Sequence, residues 1–215
     1  MILLAGCGDL DSASASAGIA RNDLVAELAA QLGKSSALTY SATYQLAGGA
    51  TATVTQAQRP ARTAYRYPGG QVLVTTAALT RCSPVNKALT CTMTAPPVPA
   101  TALPGTLLTD AGKAGLVTQP AALAMLNQAA LDPDVTVDQH DTTIAGHHAT
   151  CVDLANVDGA AAREFGVCIT NEGVLGSFNG TLSDQDVDLA LTQYADRAEA
   201  DAFDPPSNAK LIDQR

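Results

Sequence analysis

Between Leu38 and Met93, apolar and polar residues alternate with a period of two and turn residues recur at short intervals, the pattern of an antiparallel meander with one apolar face. Leu38, Tyr40, Ala42, Tyr44 and Leu46 share one parity, and Ala50, Ala52 and Val54 continue that face after Gly48 and Gly49. Facing strands must present the same side of a sheet, so each turn implies a register. The loop from Ala47 to Gly49 sets Tyr44 opposite Ala52, and a two-residue turn at Arg59 and Pro60 sets Val54 opposite Tyr65. A tight turn at Gly69 and Gly70 sets Tyr67 opposite Val72 and Tyr65 opposite Val74. Tyrosines and valines thus gather on one face, with Arg62, Arg66 and many threonines on the other.

The flanking segments switch to the helical period. Leu24, Leu28 and Leu32 form one stripe with Val25 beside it, which predicts a helix over residues 19–32 ended by Gly33. After the meander, Pro96, Pro97, Pro99 and Pro104 make a connector, and a helical stretch over 106–117 is interrupted by Gly112 and Gly115. Pro120 suits a first helical turn, and Leu123, Leu126 and Ala130 recur along one face until Asp132-Pro133. A second strand group follows, with hairpins about Gly146 and about Glu172-Gly173 and a last strand over 187–194. The expected organisation is a tether over residues 1–18 and one α+β domain over 19–215.

Composition changes this picture in two respects. Hydrophobic residues make up 47% and charged residues 15% of the 215, so the chain is built to fold; aromatics are only 4%, leaving little bulk to fill a concave interior. Two alternatives stay open, helices packed close against the sheet and a ligand cleft between them. The formal net charge of -9, with 12 basic residues forming no stripe, argues against nucleic acid and against polybasic attachment to anionic membrane.

Leu4-Ala5-Gly6-Cys7 matches the bacterial lipobox, in which the Cys is diacylated and anchors the mature protein to the cell membrane. Only six residues precede Cys7 and none is basic, which leaves two alternatives, a translation start upstream of Met1, the one expected here, and an accidental match. Asp9 to Gly18, with its Ser-Ala repeats, reads as the flexible tether. With Cys7 carrying lipid, four cysteines can pair; a turn at Asn86 and Lys87 sets Cys82 opposite Cys91, and a loop centred on Gly159 and Ala160 sets Cys151 opposite Cys168. Such disulfides fit an extracytoplasmic location, whereas four reduced thiols would fit the cytosol.

The order helix, sheet, helices, sheet resembles the lipoprotein-carrier fold of LolA-like proteins and of the LppX/LprG-type bacterial lipoproteins. Phe203-Asp204-Pro205-Pro206 followed by Ala209-Lys210-Leu211-Ile212 looks like the closing segment of that family. The resemblance implies a strongly curved, unclosed sheet of about eleven strands, large enough to curl, with helices on its concave side. It also implies a hydrophobic ligand and lipid transport in the cell envelope. Tyr40, Tyr44, Val54, Tyr65, Tyr67, Val72 and Val74 would line the cavity, with Leu123 and Leu126 as its lid.

Candidate chemistry is sparse. Asp138, His140, His147 and His148 are metal-ligand types, but His147 and His148 fall at a hairpin turn and His140 is expected opposite Asp153, so they do not converge. Asp184, Asp186 and Asp188 open like a calcium loop, yet Leu189 and Ala195 stand where its Gly and Glu belong. No nucleophile has an evident base, so neither catalysis nor a cofactor is expected. The alternative function is a protein-binding envelope regulator or sensor, whose partner surface would be the Thr-rich face or the acidic strands.

Overall fold

The computed structural model describes residues 9–97 and 108–215, with side-chain surroundings from Arg21 onward. A long helix, α1 (Asp9–Lys34), precedes a six-strand meander: β1 (Tyr40–Leu46), β2 (Thr51–Gln58), β3 (Ala61–Tyr67), β4 (Gly70–Val74), β5 (Leu79–Val85) and β6 (Ala88–Thr94). Two helices follow, α2 (Thr109–Lys113) and α3 (Gln119–Leu131). The second strand group is β7 (Thr136–Ile144), β8 (His147–Ala155), β9 (Phe165–Thr170), β10 (Leu175–Leu182) and β11 (Gln185–Ala195), and β12 (Lys210–Asp213) ends the order.

Among the described residues these strands form one sheet, ordered β12-β6-β5-β4-β3-β2-β1-β11-β10-β9-β8-β7. Its edges, β12 and β7, do not pair, so the curved sheet stays open. The β1–β11 pairing is the seam that joins the meander to the second strand group. All neighbours are antiparallel except β6 and β12.

The turn chemistry sets the registers largely as the sequence implies. Tyr44 faces Ala52 and Val54 faces Tyr65. One register differs: Tyr65 faces Val72, Tyr67 faces Gly70, and Val74 faces Thr63. The turn closes on Pro68 and Gly69, Gly69 taking a φ of 84°, instead of on the two glycines. A slip of two residues keeps every side chain on its expected face.

The first helix begins at Asp9, ahead of the expected residue 19, and runs through the Ser-Ala stretch read as a tether. Alanine is the strongest helix former, and no proline interrupts the segment. The other departure is at the C-terminus, where Lys210–Asp213 adds parallel to β6 and makes the sheet twelve-stranded. The chain reaches that edge across the outer face. Phe203 is buried there with Ala57, Ala64 and Leu73, the Arg62 guanidinium lies 4.2 Å over its ring, and Arg66 donates to the carbonyls of Asp201 and Asp204.

The main core lies on the inner face, where α1 contributes Val25, Leu28 and Leu32 and α3 contributes Ala122, Met125 and Leu126. Both expected disulfides are present, Cys82–Cys91 and Cys151–Cys168, each joining direct cross-strand partners. Their sequence separations are 9 and 17. In the chain-entropy model a loop of about 15 residues is worth roughly 3 kcal/mol and a shorter one less. Replacing both Cys151 and Cys168 by Ser should therefore lower the stability measured by urea denaturation more than replacing both Cys82 and Cys91. The reverse order would contradict an entropic origin.

Candidate binding face

Direct partners across β11, β1, β2, β3, β4, β5 and β6 form one inner-face row: Tyr194, Ala42, Val54, Tyr65, Val72, Arg81 and Thr92. Around its centre, Tyr40, Tyr44 and Tyr65 are 2%, 3% and 5% exposed, and they share one apolar cluster with Val54, Val72, Val74 and Leu126. Leu123 packs against the same cluster while partly exposed. Seven of the nine expected cavity residues are thus buried together on one side of the sheet, and Tyr67 and Leu123 pack against them while partly exposed.

The three central phenols are in one another's field. Burial first, then Tyr65 and Tyr194, push the Tyr40 hydroxyl well above its ordinary value. Tyr44 rises through burial, then Tyr40 and Tyr65, and burial raises Tyr65 to about 12. All three are neutral at physiological pH, and each can both donate and accept a hydrogen bond. Tyr40 also stacks on Tyr194, with ring centroids 6.2 Å apart. Tyr67 is raised by burial and by Asp110, with Arg81 opposing, so it marks the border between apolar and charged surroundings.

Side-chain clamps to backbone carbonyls fix the helices over this face. Gln31 donates to the carbonyl of Thr170 at 2.7 Å, Gln119 to that of Leu32 at 3.0 Å, and Asn22 to that of Asp132 at 3.2 Å. Gln56 reaches the carbonyls of Ser35 and Leu38, tying the end of α1 to β2. Asp132 closes α3, its carboxylate accepting from the backbone N–H groups of Asp134 (3.0 Å) and Asp158 (2.8 Å).

The residues read as possible metal ligands remain apart. His140 faces Cys151, not Asp153 as expected, because β7 pairs with β8 through the Ala145-Gly146 turn, which sets Asp138 opposite Asp153. The imidazole still reaches Asp153 diagonally at 3.7 Å. His147 lies 2.8 Å from Glu172. His140 comes near the sulfurs of Cys151 and Cys168, but those are spent in the disulfide. Asp184 is in the β10–β11 turn, and Asp186 accepts from the Thr181 hydroxyl. Cys7 and its lipobox lie outside the described residues.

What the sequence reading missed is the continuation of the inner face. Beyond Val72 the row turns polar at Arg81 and Thr92, beside a concavity of about 440 Å³ lined also by Tyr67, Thr90, Thr94 and Asp110. The signal was available: the disulfide register places Cys82 and Cys91 on the outer face, hence Arg81 and Thr92 on the inner one. A second concavity, about 470 Å³, lies along β7 to β10 and is lined by Asp138, Asp153, Glu164 and Asn179.

No protein-family model and no curated protein matches the chain. Among solved structures it is similar to an uncharacterized conserved protein from Thermus thermophilus, with 11% identity, a TM-score of 0.49, and coverage of 87% of this chain and 98% of that one. It is also similar to MucB, with 9% identity, a TM-score of 0.49 and coverage of 87% of this chain and 65% of MucB. A complex of Pseudomonas aeruginosa MucA and MucB matches at 11% identity, a TM-score of 0.45 and coverage of 87% and 63%. Likenesses at this level carry no inference about ligand or partner.

Backbone hydrogen bonds from Asp158 and then Asp134 hold the Asp132 carboxyl below the usual carboxylate range. A folded value below the unfolded one, about 3.9, gives stability that is present above that pH and lost as pH falls through the folded value. Asp132→Asn cannot accept both bonds as the carboxylate does. It should lower the urea midpoint at neutral pH and flatten the acid limb of the stability profile; an unchanged acid limb would show that Asp132 is not among the groups that set it.

Proposed function

We propose that this chain is an extracytoplasmic binding protein, anchored through a lipidated Cys7, that shelters an apolar ligand such as a lipid or long acyl chain against the inner face around Tyr40, Tyr44 and Tyr65. The observation that carries the reading is the gathering of three buried, neutral tyrosines, Tyr40, Tyr44 and Tyr65, in one otherwise apolar, helix-covered face. Ligand pockets are typically apolar and aromatic with a few convergent polar groups, and a phenol offers an ester or carboxyl group a donor without a charge. Burying each methylene contributes about 0.8 kcal/mol, so a long chain binds without a charged anchor in the apolar part. The open sheet with helices on its concave side is the architecture implied by the resemblance to the lipoprotein-carrier family. Two disulfides favour a location outside the cytosol, and the reading includes no catalytic role.

A second reading, a protein-binding module, has one observation in its favour. Among the described residues β12 is an edge of the sheet with no strand on its outer side, and its Leu211 is 55% exposed, so an extended segment of a partner could add a strand there.

Val74 separates a ligand site from a filled core. It is 4% exposed and faces Thr63 and Leu79. In a ligand site Val74→Trp occupies ligand volume, abolishing uptake of a fluorescent acyl probe while the melting temperature stays close to the parent's. In a filled core the same change overpacks and costs about 1–3 kcal/mol. A variant that melts much earlier, from a parent that takes up no probe, would end the proposal. Tyr44→Phe supplies a second test: it should preserve stability and weaken probe binding, and unchanged binding would remove the phenol cluster from the site.

A further inference from the structure

The inner face changes character in one step. Across β3 and β4 the row is Tyr65 and Val72, and the next partner, on β5, is Arg81. From there polar residues recur along the inner face: Thr92 faces Arg81, and Thr90 faces Ser83 on one side and Lys210 of β12 on the other, while the core residue Leu79 faces Thr94 and Ile212 of β12 faces Thr92. Arg81, Thr90, Thr92 and Thr94 line the concavity of about 440 Å³, and Tyr67 belongs both to it and to the margin of the apolar core. A cation and three hydroxyls at alternate positions of one strand therefore adjoin the tyrosine and valine face.

We infer that this polar margin is an anion subsite that takes the phosphate-bearing or carboxylate head of an amphipathic ligand whose apolar chains lie on the tyrosine and valine face. The inference rests on the apolar-ligand reading and narrows it to an anionic amphiphile. The guanidinium of Arg81 presents several N–H donors in a planar fork suited to phosphate or carboxylate oxygens, and threonine hydroxyls complete such a shell. Arg81 is now paired with Asp110 of α2 at 3.2 Å, both side chains 49% exposed. An exposed pair of this kind contributes little, so an incoming anion can replace Asp110 as the partner of Arg81. Lys113 also reaches Asp110, at 3.7 Å, and can hold that carboxylate when Arg81 turns to the ligand.

The test compares pyrene-labelled phosphatidylglycerol with pyrene-labelled diacylglycerol, which differ in the charged head, on the full chain. The parent should bind the phospholipid about tenfold more tightly than the diacylglycerol, and Arg81→Gln should remove that preference while leaving diacylglycerol binding unchanged. Asp110→Asn, which frees Arg81, should increase the preference. Inorganic phosphate in millimolar excess should leave phospholipid binding intact; its full displacement by phosphate would mean a free-anion site, not a headgroup subsite. Equal binding of both lipids by the parent, or an equal loss of both in Arg81→Gln, would overturn the inference while sparing the apolar-ligand reading. Binding of neither lipid by the parent would overturn both.

Discussion

One constraint organises this molecule: a strand that pairs on both sides must show the same residues to the same side throughout the sheet. Because Tyr40, Tyr44, Tyr65, Val54 and Val72 all fall on the inner parity, the meander has one face that must be covered, and α1 and α3 are placed over the inner side. The cover is held by the apolar packing of α1 and α3 on that face and by polar clamps, Gln31 joining α1 to the carbonyl of Thr170 while Gln119 to Leu32 and Asn22 to Asp132 join the two helices to each other. The two disulfides lock strand neighbours on the outer parity, where no ligand is involved. The covalent links and the tyrosine and valine core thus lie on opposite faces of the sheet.

Much of this arrangement was legible because turn chemistry and parity act locally. Asn86 and Lys87 both take positive φ, at 50° and 67°, and so fix the partners Cys82 and Cys91 from either side of a two-residue turn. The register after Pro68 was less legible because a proline, two glycines and their neighbours allow two turns that differ by two residues and preserve the same face. The partner of His140 is subject to the same ambiguity, since a turn on Gly146 and His147 sets it opposite Asp153 and the observed turn on Ala145 and Gly146 sets it opposite Cys151, a slip of two residues on the same face. The helix start at Asp9 escaped because Ser-Ala repeats serve equally as linker and helix in composition. The strand β12 escaped because four exposed residues carry no hydrophobic alternation, and their pairing comes from Phe203 anchoring the chain on the outer face.

The site was partly legible for a related reason. Apolar residues reveal a face by their period, so the tyrosines and valines stood out. Polar residues on the inner face, Arg81 and Thr92 above all, look from sequence like ordinary solvent-facing positions. Their meaning depends on the row that links them to Tyr65 and Val72, a relation that spans several strands. The face is apolar at its centre, where the tyrosines are neutral and no charged side chain is buried, and carries the Arg81–Asp110 pair at its margin.

Whether the tyrosine and valine face holds an apolar ligand in the native protein decides the proposed function. The most direct measurement is mass spectrometry of solvent extracts from a Cys7→Ser form, exported into the envelope of the native host without its anchor and purified without detergent, set against a mock purification. The account predicts that an acyl-chain species co-purifies in near-stoichiometric amount. Extracts indistinguishable from the mock, with an intact protein mass that shows no adduct under native ionisation, would contradict it.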